Sequence, residues 1–329
     1  MNRCLLVLVV SWGLAMVRPV VAGEPFELRD GDRVVLLGGT FLEREGNYGY
    51  LETALTTAWP DRRIVFRNLG WSGDTVWAES RGLFDSPAEG YRRMIELVRE
   101  LKPTVIVLAY GANESFAGES GLAPFLKQYE QLCDDLQPTN ARLILLTPPP
   151  FERPPSPLPD VSQHNDSLRK YVAGIRALAD RRHARLVDLF ELAGLPTKID
   201  AKKPPPPRSP FTADGVTPTP AGYFVLARLL ANDLQLPQPS DPQRGLAGLA
   251  RDGTAWTKLA PQSPMTPAEQ LRLKIVEKNR LFFHRWRPQN ITYLTGFRKH
   301  EQGNNAVEIA QFDPLVEKAE EEIAELLQP

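Results

Sequence analysis

The stretch Phe66-Arg67-Asn68-Leu69-Gly70-Trp71-Ser72-Gly73-Asp74-Thr75 passes from an apolar strand to a polar loop. Residues 63–66 form an apolar, β-rich run that is typical of a buried parallel strand. Gly70 and Gly73 then allow a tight turn and leave backbone N–H groups uncovered. Open α/β sheets bind ligands at loops that leave the carboxyl ends of their strands. The stretch therefore predicts a strand followed by a ligand-binding loop.

The same pattern occurs on both sides of this stretch. An apolar run at residues 33–37 ends in Gly38-Gly39-Thr40, and a run at residues 104–109 ends in Gly111-Ala112-Asn113-Glu114. Because the carboxyl ends of parallel strands lie at one edge of a sheet, we expect these three loops to share one crevice.

Strands and helices alternate up to about residue 234. The periodicity predicts strands at about residues 33–37, 63–67, 104–109, 141–146 and 185–187. It predicts helices at about residues 48–59, 87–101, 123–136, 166–181 and 220–234. Proline-rich surface loops are expected at residues 148–159 and 202–210. The fold class is therefore α/β: three layers, flavodoxin-like, with a parallel sheet of about five strands.

The amino-terminal 22 residues have the pattern of a secretory signal peptide. Arg3 supplies the positive start, residues 4–17 are apolar, and Val20-Val21-Ala22 offers a cleavage site. The apolar run is shorter than a membrane span. We expect an exported protein, periplasmic or extracellular, that has no membrane segment after the signal is cleaved.

Charge and cysteine content exclude several classes of function. A formal net charge of -1 gives no argument for a nucleic-acid partner or an anionic membrane. No cluster of histidines, cysteines and carboxylates has the spacing of a zinc site, so neither a metal nor a cofactor is expected. Cys133 would be the one cysteine left after cleavage, and we expect a buried, inert thiol.

The carboxyl-terminal part differs in character from the alternating body. We divide the chain into the signal peptide (1–22), a main domain (23–240) and a helical extension (241–329). Thr266-Pro267-Ala268-Glu269 predicts the start of a helix that runs to about residue 283. Residues 293–305 are expected to form an ordered loop, and a charged helix should begin at Asp313-Pro314. The aromatic side chains of the extension predict that it packs on the main domain.

The strand ends, taken together, resemble the SGNH (GDSL-like) hydrolase superfamily of esterases and acylhydrolases, which have a flavodoxin-like fold. The resemblance covers about residues 33–234. The family's first block, Gly-Asp-Ser, carries the serine nucleophile, and Thr40 occupies that position. Gly73 matches the backbone donor of the second block, and Asn113 matches the amide donor of the third. The last block, Asp-x-x-His, matches at Asp214 and has Thr217 at the histidine position.

The resemblance implies a site for acyl transfer, which needs a nucleophile, a base and donors for the developing oxyanion. Thr40 would be the nucleophile or its stand-in. The N–H groups of Thr40 and Gly73 and the Asn113 amide would stabilise the oxyanion. Asp214 would be the remaining acidic member, while Thr217 cannot act as a base near neutral pH.

The main functional hypothesis is an exported esterase that acts on acyl esters, including acetyl esters of carbohydrate. Its partner would be a small-molecule or carbohydrate ester substrate, and the oligomeric state is left open. The alternative is a catalytically degenerate module that binds carbohydrate or another small ligand. A third hypothesis is an interaction module whose aromatic, basic extension makes the contacts.

A base would have to come from outside the last block. The candidates are His300 or His284, brought to Thr40 by the extension, and His164, near the end of the first proline-rich loop. Each of these histidines also has an ordinary interpretation as a surface or structural residue. Glu43 and Glu114 are alternative carboxylate bases, although either could be a solvated or helix-start residue.

Other conspicuous side chains have two interpretations each. Trp71 and Trp77 could form a sugar-stacking wall or pack in the core. Asp74 could be catalytic or brace its loop. Arg285 and Arg287 could grip an anion or pair with acidic helices.

Overall fold

The computed structural model describes residues 26–194, 211–250 and 265–328. The signal segment and the second proline-rich loop lie outside the described residues. Five strands form one parallel sheet in the order β2-β1-β3-β4-β5. The strands are β1 (Arg33–Gly38), β2 (Val65–Asn68), β3 (Val105–Ala109), β4 (Arg142–Leu146) and β5 (Arg185–Val187). The predicted fold class is confirmed.

Helices cover both faces of the sheet. In chain order they are α1 (Thr40–Tyr48), α2 (Tyr50–Thr57), α3 (Pro87–Glu100), α4 (Gly118–Leu136), α5 (Asn165–Arg182), α6 (Leu189–Leu192), α7 (Pro220–Asp233), α8 (Pro267–Trp286), α9 (Ile291–Leu294), α10 (Lys299–Gln302) and α11 (Phe312–Leu327). Val34 and Leu36 of β1 point into one hydrophobic cluster, with α1, α2 and α7. Val35 and Leu37 point into the other, with α3, α4 and α5. Because both faces of β1 are buried, its sequence is a continuous apolar run and does not alternate between apolar and polar residues.

The predicted start signal of α8 is confirmed, and α7 begins in the same way. The Thr219 hydroxyl accepts a hydrogen bond from the Gly222 N–H at the start of α7. Thr266 accepts in the same way from the Glu269 N–H at the start of α8. Both helices have proline in the first turn, where its missing N–H costs no hydrogen bond.

Two parts of the chain differ from the predictions. The helix expected at about residues 48–59 is α2, and an additional helix, α1, which was not predicted, precedes it and begins at Thr40 after β1. Gly49, at φ 70°, separates the two. Only Leu42 and Glu45 of α1 are buried, so its sequence carries little apolar periodicity. The loop expected at residues 293–305 is wrong as well, since this stretch contains α9, α10 and the start of a 3-10 helix.

The first helix of the extension, α8, docks on α2 and β2 through buried polar groups. Lys278 and Glu52, 1% and 3% exposed, form an ion pair at 2.6 Å. Lys278 Nζ also donates to the Phe66 carbonyl at 3.2 Å, and Asn279 Nδ2 donates to Glu52 at 2.8 Å. Buried ion pairs and hydrogen bonds of this kind favour one arrangement of the two parts. The domain boundary at residue 240 stays a prediction.

Within the described ranges, no helix combines the length and the apolar character needed to cross a membrane.

Candidate active site

Loops from three strand ends and the turn before α7 line one cleft. Thr40 begins α1 directly after β1, and Asp74 lies in the loop after β2, residues 69–75, here called the β2 loop. Asn113 follows β3, and Thr217 lies before α7. These four residues line the Thr40 cleft, which has a volume of about 510 Å³ including its open mouth. The crevice predicted from the three strand ends is therefore present.

The Thr40 hydroxyl lies beside the predicted oxyanion donors. The Gly73 N–H donates to Thr40 Oγ1 at 2.9 Å, and Gly73 adopts a φ of 74°, a conformation that favours glycine. Asn113 Nδ2 donates to the Asp74 carbonyl at 3.1 Å. Because an amide nitrogen carries two hydrogens, Asn113 retains a second donor for a ligand. The residues predicted to be the nucleophile and the oxyanion donors thus occur together.

Asp214 and Thr217 are joined by hydrogen bonds. Asp214 Oδ2 accepts the Thr217 hydroxyl at 2.9 Å, while Oδ1 accepts the N–H groups of Thr217 and Val216 at 2.6 and 2.9 Å. Burial alone would raise the pKa of Asp214, but these hydrogen bonds outweigh it and hold the pKa below its usual value. The carboxylate that orients the histidine in the resembling family here orients a threonine hydroxyl.

Glu114, one of the two carboxylates proposed as alternative bases, is occupied by backbone donors. Its Oε1 accepts the Val76 N–H at 2.9 Å, and its Oε2 accepts the Gly111 N–H at 2.8 Å. Burial raises the pKa of Glu114 to about 7, although the hydrogen bonds oppose the shift. Glu114 therefore ties Val76, the residue that follows the β2 loop, to Gly111 in the loop after β3.

Glu43, the other alternative, is occupied as well. It accepts the Ser72 N–H, the Ser72 hydroxyl at 2.9 Å, and Arg287 Nη1 at 2.8 Å. Glu43 thus supports the β2 loop and Glu114 the residue that follows it, and neither carboxylate has a described contact with Thr40.

Asp74 forms a buried ion pair with Arg81 beneath the cleft. Arg81 Nε lies 2.5 Å from Asp74 Oδ2, and Arg81 Nη2 donates to the Leu69 carbonyl at 2.8 Å. Burial raises the pKa of Asp74, and the Arg81 charge opposes this effect. Sequence reasoning missed Arg81, because no local pattern distinguishes a buried arginine from a solvated one.

None of the four histidines, all of which lie in the described ranges, lines the Thr40 cleft. The His300 side chain is 75% exposed, and its Nε2 lies 3.7 Å from Glu301. The His164 ring lies 4.8 Å from the Phe116 ring, which stacks at 5.2 Å on Phe151 of the cleft. The base role of His300 or His164 stays a prediction that no described contact supports.

The His284 side chain packs against other residues of the extension. Its ring contacts Phe283 and Phe312 at 5.8 and 5.9 Å. Burial lowers the pKa of His284, and the nearby Arg280 charge adds to this effect. No hydrogen bond or ring contact in the described part of the chain joins His284 to Thr40.

The remaining conspicuous residues pack rather than face the cleft. Trp71 is 8% exposed and lies beneath Arg287, and Trp77 packs against the hydrophobic cluster that contains α3 and α4. Arg285 pairs with Asp313 at 2.7 Å. Arg287 pairs with Glu43 at 2.8 Å. Both arginines therefore form ion pairs with acidic side chains of the chain itself.

A doubly wound parallel sheet with a hydroxyl and amide donors at its strand ends is the arrangement that the resemblance to SGNH hydrolases predicts. The model of the GDSL-like lipase/acylhydrolase family matches residues 31–225. The chain belongs to this family of esterases and acylhydrolases. Residues 226–329, including the extension, lie beyond the matched range.

Several solved structures are similar to this chain at low sequence identity. A catalytic mutant of the acetylxylan esterase Axe2 from Geobacillus stearothermophilus is 18% identical, with a TM-score of 0.49, over 66% of this chain and 100% of that chain. The acetyl xylan esterase AlAXEase is 23% identical, with a TM-score of 0.46, over 61% of this chain and 98% of that chain. A gut microbial diltiazem-metabolizing enzyme is 18% identical, with a TM-score of 0.45; the match covers 64% of this chain and 48% of that chain. No curated protein matches the chain.

Proposed function

We propose that this family member binds acyl esters in the Thr40 cleft and hydrolyses them slowly, with Thr40 as the nucleophile. The observation that carries the proposal is the Gly73 N–H that donates to Thr40 Oγ1 at 2.9 Å, in a cleft that Asn113 also lines. When the Thr40 oxygen attacks the ester carbonyl and loses its proton to water, Gly73 and Asn113 would stabilise the negative charge that develops on the carbonyl oxygen. The carbon–oxygen bond to the alcohol then breaks, the alcohol leaves with a proton from water, and a water molecule hydrolyses the acyl-threonine ester to release the acid and Thr40.

The lining of the cleft supports a neutral acyl ester as the ligand. The walls are mainly apolar and include Phe41, Pro149, Phe151, Val216 and Pro218. The acidic groups that line it, Asp74 and Glu114, are held by Arg81 and by backbone N–H groups, and no lysine or arginine lines the cleft within the described ranges. A phosphate ester would find no cation there. Acetyl esters of carbohydrate are the substrate class that the family resemblance suggests.

The missing imidazole accounts for slow turnover. Removing the histidine or serine of a catalytic triad costs roughly 10⁶-fold in rate in the best-studied case. Binding and the oxyanion donors alone retain about 10³-fold to 10⁴-fold over water. We therefore expect hydrolysis above the buffer rate and far below that of a member with a serine and a histidine.

The test is to restore the reactive pair with Thr40→Ser and Thr217→His in one variant. Thr217 lines the cleft and already pairs with Asp214, so a histidine there would be oriented by the same carboxylate. General-base catalysis contributes typically about 10²-fold to 10⁴-fold, so hydrolysis of p-nitrophenyl acetate should rise by at least roughly 100-fold. The rate should rise with pH as the new imidazole loses its proton near pH ~6.5.

Two matched variants isolate the chemistry. Thr40→Ala with Thr217→His keeps the histidine without the nucleophile, and adding Asp214→Asn to the restored variant removes the carboxylate that orients the imidazole. Both should lose most of the gain. The proposed site would be refuted if the variant with Thr40→Ser and Thr217→His folds but hydrolyses the ester no faster than the variant with Thr40→Ala and Thr217→His.

The second candidate is a binding module without turnover. It is favoured by the backbone N–H groups that occupy Glu43 and Glu114, so that neither of the two carboxylates proposed as alternative bases is free. Under this alternative, wild type and Thr40→Ala would bind an acetylated xylo-oligosaccharide with equal Kd and hydrolyse p-nitrophenyl acetate at equal rates. A lower rate in Thr40→Ala would exclude it.

A further inference from the structure

The end of α8 contacts the β2 loop from outside the family-matched domain. The Arg287 guanidinium carbon lies 3.6 Å from the centre of the Trp71 ring. The Trp286 ring meets the same ring edge-on at 5.7 Å. Trp71 is only two residues before Gly73, whose N–H donates to Thr40. The extension is thus in direct contact with the loop that carries an oxyanion donor.

Arg287 also reaches the loop by a second route. Its Nη1 lies 2.8 Å from Glu43 Oε2, and Glu43 accepts both the N–H and the hydroxyl of Ser72. Arg287 therefore contacts Trp71 directly and Ser72 through one carboxylate. These are the two residues that precede Gly73 in the chain.

The inner side of the loop is held by Arg81, a residue of the main domain that also lies 5.9 Å from the Trp286 ring. Arg81 pairs with Asp74 and lies 5.5 Å from the Trp71 ring. Trp71 is therefore enclosed between Arg81 and Arg287. A loop with glycines at positions 70 and 73 has high intrinsic freedom, so contacts on both sides are needed to hold one conformation.

We propose that Arg287 is a positioning residue, which holds the β2 loop through Trp71 and Glu43 so that the Gly73 N–H is directed at Thr40 Oγ1. The catalytic meaning of this role rests on the proposed function, whereas the effect on loop conformation does not. Oxyanion donors stabilise a transition state only when they are fixed before the reaction. The extension would then be a part of the site that this chain adds to its family's domain.

The variant Arg287→Ala removes both contacts, and Arg285→Ala is its matched control. Arg285 lies in the last turn of α8, two residues before Arg287, but pairs with Asp313 and has no described contact with the β2 loop. Hydrogen–deuterium exchange of the mature protein compares peptides that cover residues 69–75 and β3, residues 105–109. In Arg287→Ala we expect roughly tenfold faster exchange in the β2 loop and unchanged exchange in β3, because local opening is measured separately from global unfolding. Arg285→Ala should leave both peptides unchanged.

Arg287→Lys separates the two contacts and guards against a variant that does not fold. Lysine keeps the charge near Glu43 but lacks the planar group that stacks on Trp71, so exchange should be intermediate. In the variant with the restored serine and histidine, Arg287→Ala should lower kcat about tenfold and leave KM within about twofold, since the donor acts mainly in the transition state. The proposal would be overturned if the β2 loop of Arg287→Ala exchanged no faster than that of Arg285→Ala. It would also be overturned if exchange in Arg287→Ala rose as much in β3 as in the β2 loop. The exchange result needs no substrate, so it stands or fails separately from the esterase test.

Discussion

Glu45 should make the free energy of unfolding depend on pH. Its side chain lies within the fold at 1% exposure, between α1 and α2. Oε1 accepts the Leu51 N–H at 2.6 Å and the Glu52 N–H at 3.4 Å, whereas Oε2 is without a partner in the described part of the chain. Burial raises the pKa of Glu45 to about 8, and the two N–H donors offset only part of this effect.

The sign of the effect follows from proton uptake. The ordinary pKa of this carboxyl group is 4.5. Between pH 4.5 and 8 the unfolded chain has lost the Glu45 proton, while the folded protein still holds it. The folded state binds more protons, so the contribution of Glu45 to stability is fully present below pH 4.5 and is lost as the pH rises towards 8. At 1.36 kcal/mol for each pH unit, this loss amounts to about 3.5 kcal/mol between pH 5 and pH 8.

The variant Glu45→Gln tests this value, because glutamine keeps the oxygen that accepts from Leu51 and cannot ionise. Urea unfolding at pH 5 and pH 8 gives the stability of each protein from the midpoint and slope. Relative to wild type, the variant should gain about 3.5 kcal/mol between the two pH values. Glu100→Gln, at an exposed position of α3, controls for the loss of one carboxyl. A difference between Glu45→Gln and wild type that stays constant within about 0.5 kcal/mol would refute the argument, since Glu45 would then be ionised in the folded state.

Three further predictions concern the extension, the β2 loop and export. Lys278→Met should destabilise the protein by about 3–5 kcal/mol in urea unfolding, because it leaves the buried Glu52 carboxylate without its ion-pair partner. Adding Glu52→Leu should recover most of the lost stability, and an equal loss in the single and the double variant would contradict this. Gly70→Ala should give no soluble folded protein, as its methyl group would overlap the backbone at the start of α1, whereas Gly118→Ala, with open space, should cost about 1 kcal/mol. Soluble Gly70→Ala with wild-type circular dichroism would count against the close packing. The mass of the exported protein should correspond to an amino terminus at or near Gly23, and a terminus well upstream would argue against the signal peptide.

The strands and the position of the cleft were predictable from local patterns. Each strand is a short apolar run bounded by polar residues, and β1 in particular is buried on both faces. Parallel strands all end at the same edge, so Thr40, Gly73 and Asn113 could be assigned to one crevice before any distance was known. The helix that begins at Thr40 could not be predicted, because few of its side chains are buried.

The supports of the site depended on tertiary structure. Arg287 and Trp71 are separated by more than two hundred residues, yet they stack at 3.6 Å. Arg81 and Glu114 are charged residues whose burial no local pattern reveals. Sequence periodicity reports which residues of one element share a face, and that determined the sheet, its helices and the loops at its edge. Which distant charged or aromatic side chain then meets a loop depends on how whole elements pack together, and this was decided only when α8 docked against α2 and the β2 loop.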